Sequence, residues 1–258
     1  MLKADPQLSP IPILTAWDSP KLIHGFLGRR GGVSIGPYES LNLAYWVGDD
    51  SARVDENWRR LREVIGVETK VARRHQIHGK DVHVITAENV SEKPDGDGMV
   101  TATPGILLAV ASADCVPILM TDAREKIVAA IHAGWRGVIA GIAREAVAAM
   151  ESLGAKAREL RAALGPSIGM CCFEVDAELA ERFGREIPGA GRHSRAGRPG
   201  KAYLDLRAII TDQLMAAGLA GESIANVGPC TRCANDEFFS RRASSISGLQ
   251  FSFIGLRG

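Results

Sequence analysis

Eight short runs rich in β-branched and apolar residues predict strands: Leu22–Leu27, Asp81–Ala87, Ile106–Ala111, Val116–Thr121, Ile127–His132, Arg161–Leu164, Ile224–Val227 and Gln250–Ile254. Helices are predicted over Ala52–Ile65, Gly137–Leu153, Asp176–Phe183 and Asp205–Ala217. In the second, Val138, Ile142, Ala146, Ala149 and Leu153 recur at three- and four-residue spacing as one apolar stripe, and Gly154 is a natural stop. Asp176 and Asp205 open the last two as N-caps. Strands adjoin in sequence and helices intervene irregularly, which points to an α+β or mixed α/β fold and away from a doubly wound parallel sheet. No Gly-rich dinucleotide fingerprint with its acidic partner is present. The stretch Pro188–Gly200 holds four glycines, two prolines and three arginines. It reads as a mobile surface loop whose basic residues are either simply solvated or a lid over an anion. With neither repeat nor linker, residues 1–258 read as a single domain.

Composition narrows the function class. With 46% hydrophobic and 24% charged residues the chain supports a full core without disulfide staples. Thirty-one Lys and Arg against thirty Asp and Glu leave a formal charge of +1, which argues against a nucleic-acid partner. No apolar run reaches the roughly 18–20 residues that span a bilayer, and prolines interrupt Met1–Leu14 where a signal peptide needs a continuous apolar region. Five cysteines, an odd number at low density, fit a reduced protein. The expectation is a cytoplasmic protein without a membrane partner.

The chemistry concentrates between Ser112 and Gly137. Two apolar runs flank the polar tetrad Asp122–Glu125, which reads as a hairpin turn. A symmetric turn pairs Thr121 with Lys126 and Leu119 with Val128, and so sets Cys115 directly opposite His132. Opposed Cβ atoms lie ~4.5–5.5 Å apart, close enough to share one metal or one proton. Pro117 is compatible with this register if its pair needs no N–H and an uncovered edge lies beside it. Next, Ala133-Gly-Trp-Arg-Gly137 leads into a predicted helix, whose free N–H groups attract anions, and Arg136 adds a planar charged fork. The plain alternative is a buried cysteine beside a hydrogen-bonded histidine.

A catalytic zinc needs a third ligand. His75, His78 and His83 cluster upstream; His78, before Gly79 at a probable turn, ranks first, then His75, then His83. Cys230-Thr-Arg-Cys233 lacks a thioredoxin-like context, and adjacent Cys171 and Cys172 are expected to point apart, so both pairs read as structural, with Cys172 or Glu174 at most lining the pocket. Gly28–Ser34 is a Gly-rich turn in which Arg29 is either an anion contact or merely solvated.

Read together, His24-Gly-Phe, Gly31-Gly-Val-Ser34, Pro37-Tyr-Glu-Ser-Leu-Asn-Leu43, Val47-Gly-Asp49, Gln76-Ile-His-Gly79, Ala113-Asp-Cys-Val-Pro117, His132-Ala-Gly-Trp-Arg-Gly137, Gly165-Pro-Ser-Ile-Gly169 and Cys230-Thr-Arg-Cys233 resemble the signature of the YfiH-like, laccase-domain family, in order over nearly the whole chain. Its members were once labelled polyphenol oxidases and are now regarded as purine nucleoside phosphorylases with adenosine deaminase activity. The resemblance implies a layered α/β/β/α sandwich like that of cytotoxic necrotizing factor. It implies zinc held by His78, Cys115 and His132, purine nucleosides (adenosine, inosine, guanosine, methylthioadenosine) and phosphate as small-molecule partners, and a monomer or small homo-oligomer. Arg29, Asp114 and Arg136 are the candidate substrate and phosphate contacts, Asp114 being equally suited to capping. The chain departs from the pattern at Gly28-Arg29, at Trp58, and at Leu249, the last two replacing arginines. A copper-dependent polyphenol oxidase and a Cys115–His132 hydrolase are the competing readings.

Overall fold

A computed structural model describes residues 11–66 and 70–258. Most of the Met1–Leu14 stretch that bears on targeting therefore lies outside the described residues. The first sheet runs in the order β1 (Ile13–Leu14), β2 (Leu22–Leu27), β14 (Gln250–Leu256), β6 (Ile106–Ser112), β3 (Lys70–Ala72). The second runs β13 (Ile224–Asn226), β9 (Leu160–Leu164), β7 (Val116–Asp122), β8 (Val128–Ala133), β5 (Gly98–Thr101), β4 (Val82–Val84). A small third sheet joins β10 (Glu174–Asp176), β12 (Lys201–Leu204) and β11 (Ser194–Ala196).

The two-residue period of a strand decides the layers. Along β6, Ile106, Leu108 and Val110 meet Leu119 of β7 and Val128 and Ala130 of β8 in a core between the two large sheets. The alternate residues Leu107, Ala109 and Ala111 pack with Val54, Trp58 and Leu61 of α1 (Ser51–Ile65). On the far side of the second sheet, Ala129, Ile131 and Ala133 pack against α2 (Trp135–Ala140), α3 (Ile142–Ser152) and α5 (Leu206–Ala216). The order is helix, sheet, sheet, helices, the expected mixed α/β sandwich. Because both faces of β6, β7 and β8 are covered, these strands are buried at every position and mostly apolar, and their content marks them better than alternation would.

Several expectations are corrected. The helix over Gly137–Leu153 is two helices, starting earlier at Trp135 and broken at Gly141, whose φ of 86° ends α2 and opens α3. Pro188–Gly200 is not an irregular loop. Residues Ala190–His193 form a 3-10 turn and Ser194–Ala196 pairs with β12. Its basic groups have partners: Arg192 and His193 both engage Asp212 of α5, and Arg198 engages Glu174 at 2.8 Å. Asp205 caps α5 by accepting from the Ala208 N–H at 3.0 Å. Asp176 precedes α4 (Ala177–Glu186) but makes no cap, since Lys201 holds its carboxylate at 2.5 Å. Among the described residues no helix is long and apolar enough to cross a membrane.

Candidate active site

Strands β7 and β8 pair with Pro117 opposite His132 and Thr121 opposite Val128, so the expected Cys115–His132 register is displaced. The four-residue turn is 123–126, not 122–125. Asp122 causes this by accepting from the backbone N–H groups of Lys126 (2.6 Å) and Ile127 (2.8 Å), while Glu125 takes a positive φ of 55°. The displacement keeps the parity of the strand, so Cys115 still faces the same side as His132, one diagonal step away. Nor is β7 an edge: β9 flanks it, and Pro117 is accommodated at the strand's start, where its carbonyl accepts from Gly165 N–H at 2.8 Å.

The metal-ligating atoms of His78, Cys115 and His132 lie within 4.8 Å of one another. The two imidazoles stand nearly perpendicular, at 81° with centroids 4.9 Å apart. Close approach requires Gly134: a Cβ there would sit 2.6 Å from His78 Cδ2 and 3.2 Å from Cys115 Sγ. His78 and Asp114 adopt φ of 61° and 96°, left-handed conformations that side-chain-bearing residues rarely take and that cluster at functional sites.

One residue absent from the sequence reading organises the group. The buried carboxylate of Asp97 accepts from the backbone N–H groups of Ile77 (3.1 Å), His78 (3.0 Å) and Gly79 (2.7 Å) and pairs with His132 Nδ1 at 2.7 Å. Its own peptide carbonyl accepts from His132 N–H at 2.7 Å. A carboxylate on Nδ1 leaves Nε2 of His132 as the ring nitrogen that can serve a metal or Cys115. His75 and His83 instead contact Asp95, through its carboxylate and its carbonyl, both at 2.8 Å.

Burial alone would raise the Cys115 thiol, but the charge and hydrogen bond of His132, followed by those of His78, outweigh it and bring the pKa down to about 6. For His132 burial acts downward, and the Cys115 thiolate and Asp97 together lift it to about 9. The metal-free pair is thus thiolate and imidazolium between these limits. Metal-stripped protein should show iodoacetamide modification of Cys115, mapped by mass spectrometry, rising to half its plateau near pH 6; a midpoint near pH 9 would contradict the pairing.

Residues 23–257 match the profile of the family described as multi-copper polyphenol oxidoreductase laccase. The chain belongs to that family. Among this family's relatives, purine nucleoside phosphorylase Rv2149c of Mycobacterium tuberculosis is 42% identical over 227 residues, 88% of each chain. Purine nucleoside phosphorylase YfiH of Escherichia coli is 36% identical over 246 residues, covering 95% of this chain and 98% of that one. The crystal structure of YlmD from Geobacillus stearothermophilus superposes with a TM-score of 0.88 at 33% identity, over 93% of both chains.

In this laccase-domain chain, His78 and His132 line a cleft of about 790 Å³ whose rim carries Tyr45, Trp46, Arg73 and Arg241. The three polar residues singled out from sequence do not line it. Asp114 accepts from Thr231 Oγ1 (2.7 Å) and the Arg242 N–H (2.8 Å), joining distant loops beside Cys115. Arg29 donates to the carbonyls of Glu39 and Asn235, both at 2.6 Å, and lies over Phe239. Arg136 is exposed and stacks on Trp135 at 4.3 Å. Trp58 is buried, donating from Nε1 to the Leu43 carbonyl, and Arg73 lies 5.2 Å from its ring. Leu249 lines the cleft. The expectation for the vicinal cysteines is overturned: Cys171 and Cys172 both face Cys233, at 3.6 and 3.4 Å, because β-bridging of Ser167 to Cys230 lays the two loops together. Glu174 is turned to Arg198.

Proposed function

We propose that this chain is a zinc-dependent purine nucleoside phosphorylase acting on adenosine, inosine, guanosine and methylthioadenosine, with adenosine deaminase activity at the same site. The observation that carries the reading is the His78–Cys115–His132 cluster opening into a cleft with aromatic and cationic walls. The relatives' names support it. The donor set fits zinc: one thiolate and two imidazoles, one of them oriented by a buried carboxylate, leave a fourth position. When bound, zinc supplies Lewis acidity at that position.

The residues of the chain do the rest. Exposed Trp46 offers a face on which a purine stacks. Among the described residues the buried NH1 of Arg73 has no hydrogen-bond partner, and burial weakens the guanidinium's hold on its proton. Such a guanidinium, braced over Trp58 and Tyr45, is suited to gripping phosphate. Phosphate oxygen then bonds to ribose C1′ as the C1′–N9 bond breaks, and the base leaves with that electron pair and takes up a proton. Positioning of the two reactants supplies much of the acceleration. In deamination, water adds at the purine carbon and ammonia departs. We assign this work to one domain in the reducing cytoplasm, as a monomer or small homo-oligomer.

A copper oxidase of the multicopper kind is disfavoured by the placement of the histidines. His24 accepts from the Ala16 and Trp17 N–H groups, and His75, His83 and His193 are engaged by Asp95 or Asp212, which leaves two imidazoles at the cluster. The deciding assay is release of hypoxanthine from inosine with and without phosphate while oxygen is monitored. Phosphate-dependent release without oxygen uptake is expected; oxygen uptake with a phenol and no base release would replace the proposal. Arg73→Gln should raise KM for phosphate about 10- to 100-fold, the loss of one charge-assisted hydrogen bond, with a smaller change in KM for inosine. Equal changes in both would remove Arg73 from the phosphate site.

A further inference from the structure

Separately from His78, Cys115 and His132, the other four of the five cysteines form a second cluster. The sulfurs of Cys171, Cys172, Cys230 and Cys233 all lie within 4.8 Å of one another, with Cys172–Cys233 at 3.4 Å and Cys171–Cys233 at 3.6 Å. Thiolates at about 2.3 Å from a tetrahedral zinc are separated by roughly 3.8 Å along the tetrahedron's edge. The observed spacing is near that edge and well beyond the ~2.05 Å of a disulfide.

We propose that these four thiolates hold a second, structural zinc ion. A closed set of four sulfurs leaves no position for a substrate, the arrangement of structural rather than catalytic zinc. The surroundings suit the double negative charge of a zinc tetrathiolate. Arg232 donates to Cys172 Sγ at 3.6 Å. Arg207 supplies further positive charge and clamps the two cysteine-bearing loops, donating to the carbonyls of Ser167 (2.9 Å), Gly228 (3.0 Å) and Pro229 (2.7 Å). The two loops follow β9 and β13, so a zinc ion here crosslinks segments far apart in the chain. Thr231, between the ligands, holds Asp114, the residue next to Cys115. The ion therefore braces the corner from which the first cluster projects.

The test counts metal in the full chain purified under reductant. Wild type should carry one zinc at each cluster. Cys115→Ser should keep the second zinc, and the same variant loaded with cobalt should show the intense thiolate-to-cobalt charge-transfer bands of a tetrathiolate. His78→Ala provides the same measurement should Cys115→Ser fold poorly. Cys171→Ser with Cys233→Ser should abolish the tetrathiolate spectrum and drop the stoichiometry by one ion per chain. Both first-cluster variants devoid of zinc, iron in place of zinc, or these cysteines found as disulfides in reduced preparations would overturn the proposal. Because the readout is metal content at a separate cluster, the result does not depend on whether the chain is a phosphorylase.

Discussion

Cys115→Ser is expected to abolish metal binding at the first cluster and to lower phosphate-dependent release of hypoxanthine by about a thousandfold or more. The thiolate is the one anionic donor of the three, and its surroundings are arranged around its charge: His132 and His78 hold it ionised at neutral pH despite burial. A serine hydroxyl at the same place stays protonated and is a poor zinc donor, so the substitution removes ligand and charge together while leaving volume nearly unchanged. Loss of a Lewis acid worth several kcal/mol corresponds to roughly three decades in rate, at about 1.36 kcal/mol per decade. Zinc content, circular dichroism and steady-state rates on inosine should be measured on one preparation. A folded, zinc-free variant with full phosphorolysis would defeat the metal reading. A zinc-free variant inactive toward inosine, beside wild-type protein acylated at Cys115 by activated esters, would instead favour a cysteine hydrolase.

Much of the scaffold is legible in the sequence because its central strands are covered on both faces. Such strands are apolar on both faces over most of their length, with polar residues mainly near their ends, and Ile106–Ser112, Val116–Asp122 and Gln250–Leu256 advertise themselves by content. Strands of three or four residues, such as Lys70–Ala72, Gly98–Thr101 and Ser194–Ala196, have too few positions to show a pattern and exist through their partners. The exact register of β7 and β8 rests on the Asp122 carboxylate capturing two amides, a side-chain event that residue counting cannot anticipate. His78, Cys115 and His132 were legible from motif and chemistry. The polar surroundings were not. Arg29 and Arg136 look available in sequence, yet two carbonyls and a tryptophan face occupy them. The four-cysteine cluster escaped for a related reason: neighbouring side chains diverge on a regular strand, but the turn at Cys171-Cys172 has no such alternation. Asp97 stands in the run Asp95-Gly-Asp97-Gly, where glycines frame a carboxylate that only tertiary structure brings to His132.

Asp97→Asn should show how much of the site depends on that one carboxylate. Its oxygens accept from three consecutive backbone N–H groups and from His132, and these hydrogen bonds hold its pKa below the ordinary carboxylate range although burial acts the other way. Stability from such a depressed group is fully present above the ordinary pKa near 4 and is lost as pH falls through the lower folded value, so at pH 7 all of it is at stake. Asparagine keeps the shape but turns an NH2 donor toward groups that are themselves donors. Breaking a buried, hydrogen-bonded charge pair costs about 3–5 kcal/mol, to be read from urea unfolding at neutral pH. The second consequence is chemical. Without its acceptor, the His132 ring can turn and present the wrong tautomer, and affinity for zinc at this cluster should fall about 10- to 100-fold in a chelator competition. A decline in stability with unchanged zinc affinity would make Asp97 a folding residue alone. The expected joint loss would mean that one carboxylate both sets the loop carrying His78 and aims the ring of His132, so that the fold and the donor geometry are secured by the same four hydrogen bonds.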